Sequence, residues 1–500
     1  MPMHPALAGN SAATLRRIIF NLLFLCLLNL AHSQSPTISV LHYFTNYSDG
    51  GQPLAGVILV SNTLYGTTFQ GGTNGNGITY ALNTDGSDYR VLYQFSALAS
   101  VQGSGEHPTN FDGASPRGGL RCLGHTLFGT TSQGGLKENG TFFSINLDGS
   151  SFANRYNFVG PTQSWQSLDS PSGDLLPDGS TFYGTAVVGY DSLGGVYALG
   201  TNGDYNSIYS FSDRLANGDG PTGGLALLGD TLYGMTVLGG RQGLGNIFAV
   251  NTNGSSFAQV FSFPSYAWDG AIFAYTNYSG YSPVGQLAAV GNKLIGMTQY
   301  GGTGGSGTVF SINPDGTGLT VLHAFTATGA GNTNIDGANP LTDLIAGGAL
   351  LYGSTPAGGV NGSGVIFSLK PDGSQFTVLH HMNGPVDGYA PNKLLLSGNH
   401  VYGTTRGGGL YSYGTVFSLP VVPPPVVISG ALISGAGTFT MDFSGAPNST
   451  NLVQVTTNLT IPGWQTISTN IADGTGHWRW TNSDAYRQSQ QFYQSVTPSN

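Results

Sequence analysis

Hydrophobic residues fall in short runs along this chain, each closed by Gly, Asn or Asp, and the same order of runs keeps returning. Residues 223–263 show the unit. Gly223-Gly224-Leu225-Ala226-Leu227-Leu228 reads as a first strand, Gly229-Asp230 as a tight turn and residues 231–236 as a second strand. Residues 239–245 form a glycine-rich loop, 246–250 a third strand, Asn253-Gly254 another turn, and 257–263 a fourth strand. Alternation over such short lengths marks strands rather than helices, and Asn, Asp and Gly supply the positive φ angles of two-residue hairpins.

One segment of the unit recurs with little change. Leu64-Tyr65-Gly66-Thr67-Thr68 returns as Leu127-Phe128-Gly129-Thr130-Thr131, Phe182-Tyr183-Gly184-Thr185 and Leu232-Tyr233-Gly234-Met235-Thr236. Leu294-Ile295-Gly296-Met297-Thr298, Leu351-Tyr352-Gly353-Ser354-Thr355 and Val401-Tyr402-Gly403-Thr404-Thr405 complete the set. The seven glycines are 63, 55, 50, 62, 57 and 50 residues apart. Four antiparallel strands per repeat describe a propeller blade. The last repeat has a third strand at 415–419 but no fourth, while residues 38–44 match the fourth strand of the others, such as 321–325. The N-terminal strand is therefore expected to complete the last blade and remove the exposed sheet edges. The fold expected is all-β: a seven-bladed β-propeller of four-stranded antiparallel blades over residues 35–420. An open β-solenoid is the second choice.

Composition agrees. Gly accounts for 79 residues and Pro for 25, and only 8% of residues are charged. Glu occurs twice and Lys four times while helix-breaking Gly and Pro abound, which argues against a mainly helical protein. Gly has no three-residue period, which excludes collagen. An apolar fraction of 39% and a net charge of −9 exclude disorder. No basic stripe for nucleic acid and no polybasic segment for an anionic membrane is present. At the N-terminus, Arg16-Arg17 precede an apolar run over residues 18–30, followed by Ala31-His32-Ser33. This reads as a signal peptide over residues 1–33, cleaved near Ser33, with an uncleaved anchor as the alternative. The mature chain would be secreted or at the extracellular surface, without a membrane span, and would keep one cysteine, Cys122, hence no internal disulfide.

The succession Leu-Tyr-Gly-Thr-Thr, Gly-Gly, Gly-Thr-Val-Phe, Asp-Gly and Val-Leu resembles the GloVer (Gloeo/Verruco) tandem repeat. The resemblance covers all seven repeats, although Gly189-Tyr190-Asp191-Ser192-Leu193-Gly194-Gly195 shifts the glycine loop of the third. It implies an exported protein of an environmental bacterium and carries no activity to any residue. After a Pro-rich linker at residues 421–426, residues 427–500 change character, with three of the five Trp at Trp464, Trp478 and Trp480. Their short alternating strands suggest a small β-sandwich. Thr457-Asn458-Leu459-Thr460, Trp464, Gly476-His477-Trp478 and Gln491-Phe492-Tyr493 resemble a fibronectin-III-like module, which implies a spacer or attachment domain.

The chemistry is sparse. His42, His323 and His380 share one repeat position with Tyr93, Tyr156, Tyr209 and Phe261, so that column reads as packing. No Gly-x-Ser-x-Gly elbow in a suitable context, zinc spacing or phosphate loop ahead of a helix is found, so no catalytic residue, metal or cofactor is assigned. Asn83-Thr84-Asp85-Gly86-Ser87-Asp88 has some features of a calcium loop but recurs without the second acid, and reads as a hairpin turn. The Asp-Gly pairs at Asp112, Asp219, Asp336, Asp387 and Asp49 are expected to hold turns, with a channel-mouth ligand site as the alternative. Loops leaving the fourth strands vary most in length, and variable loops on a rigid scaffold carry function. They hold Trp165, Tyr266, Trp268, Asp269, Tyr275, Tyr278 and Tyr281, which are the candidate ligand-binding residues. These rings suit a carbohydrate or a surface protein, and the alternative is a satellite core of the loop itself. The expected function is a non-catalytic, monomeric binding or structural protein. The rival is a propeller enzyme acting on polysaccharide, marked by Asp or His residues meeting at the channel.

Overall fold

The computed structural model describes residues 37–99, 108–159, 168–189, 193–270, 272, 274–421, 427–433, 439–444, 450–456, 465–471, 477–482 and 492–496. Among them no α-helix occurs, and the strands form a seven-bladed propeller of four-stranded antiparallel sheets. Blade 4 is representative: Ala226–Leu228, Thr231–Thr236, Asn246–Asn251 and Ala258–Ser262 pair in chain order. The innermost strand is shorter than its apolar run suggests. Residues 223–225 lead into the ladder without joining it, and Gly223 lies against the Gly285 carbonyl of the next blade, where a Cβ would come within 1.9 Å. In blade 7, His400–Gly407 pairs with Thr415–Pro420, and Ser39–Tyr43 pairs antiparallel with the outer side of Thr415–Pro420.

The recurring glycine on each second strand has a packing cause. A Cβ on Gly234 would stand 2.4 Å from Cζ of Phe248 on the third strand, and one on Gly353 would stand 2.5 Å from Cζ of Phe367. The glycine lets a fully buried ring lie flat across the sheet, and Phe143, Phe310, Phe417, Tyr80 and Tyr197 do the same in the other blades. The last glycine of the glycine-rich loop serves the neighbouring blade in six of the seven repeats, as where Gly245, at φ +95°, receives Cδ of Pro283 against its α-carbon.

The core lies between blades. Leu225, Leu232 and Phe248 of blade 4 pack with Tyr183, Val196 and Phe211 of blade 3, and like clusters fill the other seams. The column shared by His, Tyr and Phe is part of this packing. Tyr93 stacks on Phe152 at 3.8 Å, Tyr209 on Phe257 at 3.9 Å and His323 on Phe376 at 3.6 Å, each ring supplied by the next blade.

Beyond residue 426, Val427–Ile433, Phe439–Ser444 and His477–Asn482 form one antiparallel sheet, and Gln465–Ile471, Thr450–Thr456 and Phe492–Val496 another. Met441, Phe443 and Trp478 of the first sheet pack with Val453 of the second. The segment 1–33, most of the linker 421–426, and Trp464 lie outside the described residues. Among the described residues no helix is long and apolar enough to cross a membrane.

Candidate functional site

Among the described residues, two loops of a repeat meet on one face. The glycine-rich loop after a second strand is tied to the loop that leads into its blade. Gly72 N donates to Tyr47 O at 2.6 Å, Gly240 N to Arg214 O at 2.9 Å, Gly302 N to Asn277 O at 2.8 Å and Gly409 N to Gly384 O at 2.7 Å. Between blades 4 and 5 this face carries a hairpin not anticipated from sequence, Ala267–Asp269 paired with Ala274–Thr276. Trp268 stands opposite Tyr275 in that ladder. Trp268 is 54% exposed, Tyr278 68% and Tyr266 42%, while Asp269 is half-buried. The Tyr266 ring centroid lies 4.8 Å from that of Tyr281, which lies 5.4 Å from that of Tyr300. The hairpin thus brings Tyr266 and Tyr281 together, sets Trp268 across from Tyr275, and leaves large parts of Trp268 and Tyr278 to solvent. Trp165 lies outside the described residues.

Asp49, Asp112, Asp336 and Asp387 turn inward and clasp the end of the preceding fourth strand, whereas Asp219 pairs with Arg214 at 3.2 Å and Asn217 takes the inward place, its Nδ2 donating to Tyr209 Oη at 3.0 Å. Tyr93 Oη donates to Asp112 Oδ2 at 2.8 Å, and His323 and His380 Nε2 lie 3.0 and 2.8 Å from Asp336 and Asp387 Oδ2. Burial pushes the Asp336 carboxyl up, but hydrogen bonds from His323 and from the Thr326 hydroxyl and N–H outweigh it, leaving the group below its ordinary value. His42 is placed less well, its Nε2 3.4 Å from Asp49 and without a hydrogen bond. Burial lowers its pKa, only partly opposed by Asp49. A base depressed by folding contributes stability above its unfolded pKa of about 6.5 and loses it as pH falls through the folded value. His42→Tyr, which copies Tyr93, is expected to remove that slope: melting curves should coincide near pH 8, with the variant higher near pH 5.

The sequence reading missed a charged cluster on the propeller axis. Lys393 Nζ of blade 7 lies 2.8 Å from Asp174 Oδ2 of blade 3, 2.5 Å from Asp343 Oδ2 of blade 6 and 3.3 Å from Gln286 Oε1 of blade 5. Only the central channel can join blades so far apart in the ring. Arg121 of blade 2 adds a contact at 3.1 Å to Asp174 Oδ2, and its Nε donates to Leu175 O at 2.7 Å. Gly119 N donates to Asp174 Oδ1 and Gln286 N to Asp343 Oδ1, both at 2.6 Å. A cavity of about 250 Å³ adjoins the cluster, lined by Arg121, Asp174 and Lys393 and by apolar residues such as Val57, Ile345 and Leu395.

Asp174, Gln286, Asp343 and Lys393 each stand just before the Leu at the entry to an innermost strand. Gly56, Gly119 and Gly224 take that position elsewhere and leave room: a Cβ on Gly119 would stand 3.0 Å from Asp174 Oδ1, and one on Gly224 3.0 Å from Gln286 Oε1. Burial pushes the Asp174 carboxyl up, but Lys393, Arg121 and the Gly119 N–H overcome it and hold the group far below the carboxylate range. Burial would lower Lys393, but Asp174 and Asp343 raise it above its ordinary value. The cluster is charge-balanced, with both partners fixed in their ionised forms. Among the described residues no group of three or more His, Cys, Asp or Glu is arranged to hold a metal ion.

The sequence matches the family described as the Gloeobacter/Verrucomicrobia repeat over residues 105–275 and 268–460. No curated protein matches it in sequence. Among solved structures, an oligogalacturonate lyase in complex with manganese aligns at 11% identity and a TM-score of 0.44, over 78% of this chain and 94% of that one. A polysaccharide lyase, the ulvan lyase of family PL25 bound to its oligosaccharide, aligns at 9% identity and 0.43, over 76% and 96%. A puromycin-hydrolyzing peptidase of Mycobacterium tuberculosis aligns at 9% identity and 0.44, over 78% and 57%.

Proposed function

The chain belongs to the Gloeobacter/Verrucomicrobia repeat family, and from that premise we infer that it is an exported, non-catalytic binding propeller that recognises carbohydrate or protein at the cell surface. The observation that carries this reading is the hairpin between blades 4 and 5, which presents Trp268 and Tyr278 to solvent on the loop face. Large exposed aromatic surface on a rigid scaffold marks an interaction site. In this reading residues 1–33 are the export signal. The strand Ser39–Tyr43 closes the ring by completing blade 7. The two C-terminal sheets are the layers of a fibronectin-III-like sandwich used for attachment, and the propeller works as a monomer.

The axial cluster supports a non-catalytic role. General acid–base work needs a group whose pKa lies near the operating pH. Asp174 is driven below that range and Lys393 above it, so neither is poised to exchange a proton. The His–Asp pairs recur at blade seams, where Tyr93–Asp112 does the same work without a base.

Trp268→Ala is expected to weaken binding to the surface ligand by about thirtyfold, the range of a central aromatic contact, with an unchanged melting temperature. Titration of both full-length proteins against arrayed polysaccharides and bacterial surface proteins measures it. Equal affinity of the two would move the site off this hairpin.

A further inference from the structure

We infer that the loop face of blades 5, 6, 7 and 1 is a track for an extended, uncharged polysaccharide; this rests on the binding role proposed above and names its ligand class.

The first observation is a turn that forces an apolar residue outward. In Asn110-Phe111-Asp112-Gly113 the Asn side chain accepts the Gly N–H at 2.9 Å and donates to its carbonyl at 2.8 Å. Asn334-Ile335-Asp336-Gly337 repeats this at 2.9 and 2.7 Å. The Asp of each turn is held by the preceding fourth strand. The residue between is left in solvent: Ile335 of blade 6 is 72% exposed, and Phe111, which shows the same turn on blade 2 outside the track, 60%. Tyr47, Tyr278 and Val386 sit at related positions ahead of Asp49, Gly280 and Asp387, and are as exposed. A self-held turn has no packing need for an apolar side chain there, so its repetition points to contact with a ligand.

A second apolar position follows the Gly-Gly pair of the adjoining loop. Val360 and Leu410 are 57% and 68% exposed. Gly359 N donates to Asn334 Oδ1 at 2.8 Å, which sets the Val360 loop beside the Ile335 turn within one blade. On blade 7, Tyr389 and Tyr411 are added, 45% and 50% exposed. Trp268 and Tyr278 begin the series at blade 5, and Tyr47 ends it at blade 1. Neighbouring blades therefore continue one apolar path around the rim.

The path carries almost no charge, and this selects the ligand. On the two loops of these four blades the charged residues are Asp49, Asp269, Asp336, Asp343, Asp387, Lys393 and Arg406, of which Asp343 and Lys393 pair with each other at the axis. Asp49, Asp336 and Asp387 are turned inward to Thr45, His323 and His380. One acid and one Arg remain over four blades. An acidic glycan would need a row of cations. An uncharged sugar chain needs rings or alkyl groups under its C–H faces and hydroxyls beside them, and Thr73, Thr303 and Ser412 lie exposed on the same loops.

The test is titration of the full-length protein with β-1,4- and β-1,3-linked gluco-oligosaccharides of increasing length, an uncharged mannan series, and polygalacturonate as the acidic control. Affinity for at least one uncharged series should rise about tenfold or more from trisaccharide to polymer as further blades engage. Tyr411→Ala and Ile335→Asn, with unchanged melting temperatures, should each lower polymer affinity by about tenfold. Both should leave trisaccharide binding, centred on Trp268, unaltered. Uncharged binding that does not grow with length and ignores both variants would overturn the track while leaving the binding role standing. So would preference for polygalacturonate. Binding of only a protein ligand would overturn the track and keep the coarser reading, and no binding to any array member would overturn both.

Discussion

Lys393→Met is expected to cost the propeller about 3–5 kcal/mol, the range for removing one partner of a buried ion pair. Lys393 is the cation shared by Asp174 and Asp343, and Met leaves two carboxylates largely buried near the axis with only Arg121 to answer them. Thermal and urea unfolding of the variant would show a lower melting temperature and midpoint. Adding Asp343→Asn should recover more than half of the loss, since Asp174 and Arg121 then balance each other and the uncompensated charge is gone. The pH dependence has a defined sign. The folded pKa of Asp174 lies below its unfolded value of about 3.9, so its stabilisation is complete above about pH 4 and is lost as pH falls through the folded pKa. Lys393 is raised, so its share is complete below about pH 10 and is lost as pH rises through the folded value. The deficit of Lys393→Met should therefore be large at pH 7 and shrink near pH 3, where the stranded carboxylates take up protons. A deficit that stays constant between those pH values would mean that packing, not charge, holds the axis.

Gly234→Ala should destabilise by about 1–3 kcal/mol through overpacking. The added methyl meets Phe248 Cζ at 2.4 Å and Leu225 Cδ2 at 2.9 Å, both on side chains with no exposure and no room to retreat. Phe248→Leu in the same chain should return part of the loss by shortening the group that clashes. Gly229→Asn is the control: its Cβ would meet nothing within 4 Å, and Asn tolerates the left-handed φ of +58°. Denaturant midpoints should place Gly234→Ala well below the parent and Gly229→Asn close to it. Equal losses would show that backbone conformation, rather than the ring beneath the second strand, explains the recurring glycine.

The blades were legible because their signals are local. The hairpin turns, the alternating second and third strands and the recurring glycine each lie within a few residues, and the glycine is conspicuous because every blade lays a ring across it. The inward Asp-Gly turns were legible for the same reason, through their fixed distance to the following strand. Less was visible where non-neighbouring blades meet. Asp174, Gln286, Asp343 and Lys393 are unlike one another, so the axial column does not look like a repeat. Blade 7 obscures it further, because Pro391-Asn392-Lys393-Leu394 is one residue shorter than Pro221-Thr222-Gly223-Gly224-Leu225. Aligning each blade on that Leu, rather than on the proline, puts the four polar residues in register with Gly56, Gly119 and Gly224. The hairpin at Ala267–Asp269 was hidden inside what reads as a long loop, although Asp269-Gly270 between aromatic runs is a turn signal.

The measurement to make is retention of the full-length protein on a panel of insoluble and soluble polysaccharides, with the same supernatants assayed for new reducing ends and unsaturated sugars. A non-catalytic binding propeller is retained on one or more polymers and releases nothing, with retention falling in Trp268→Ala. Release of sugar from any polymer would contradict it and direct attention to Asp174, Asp343 and the cavity at the axis.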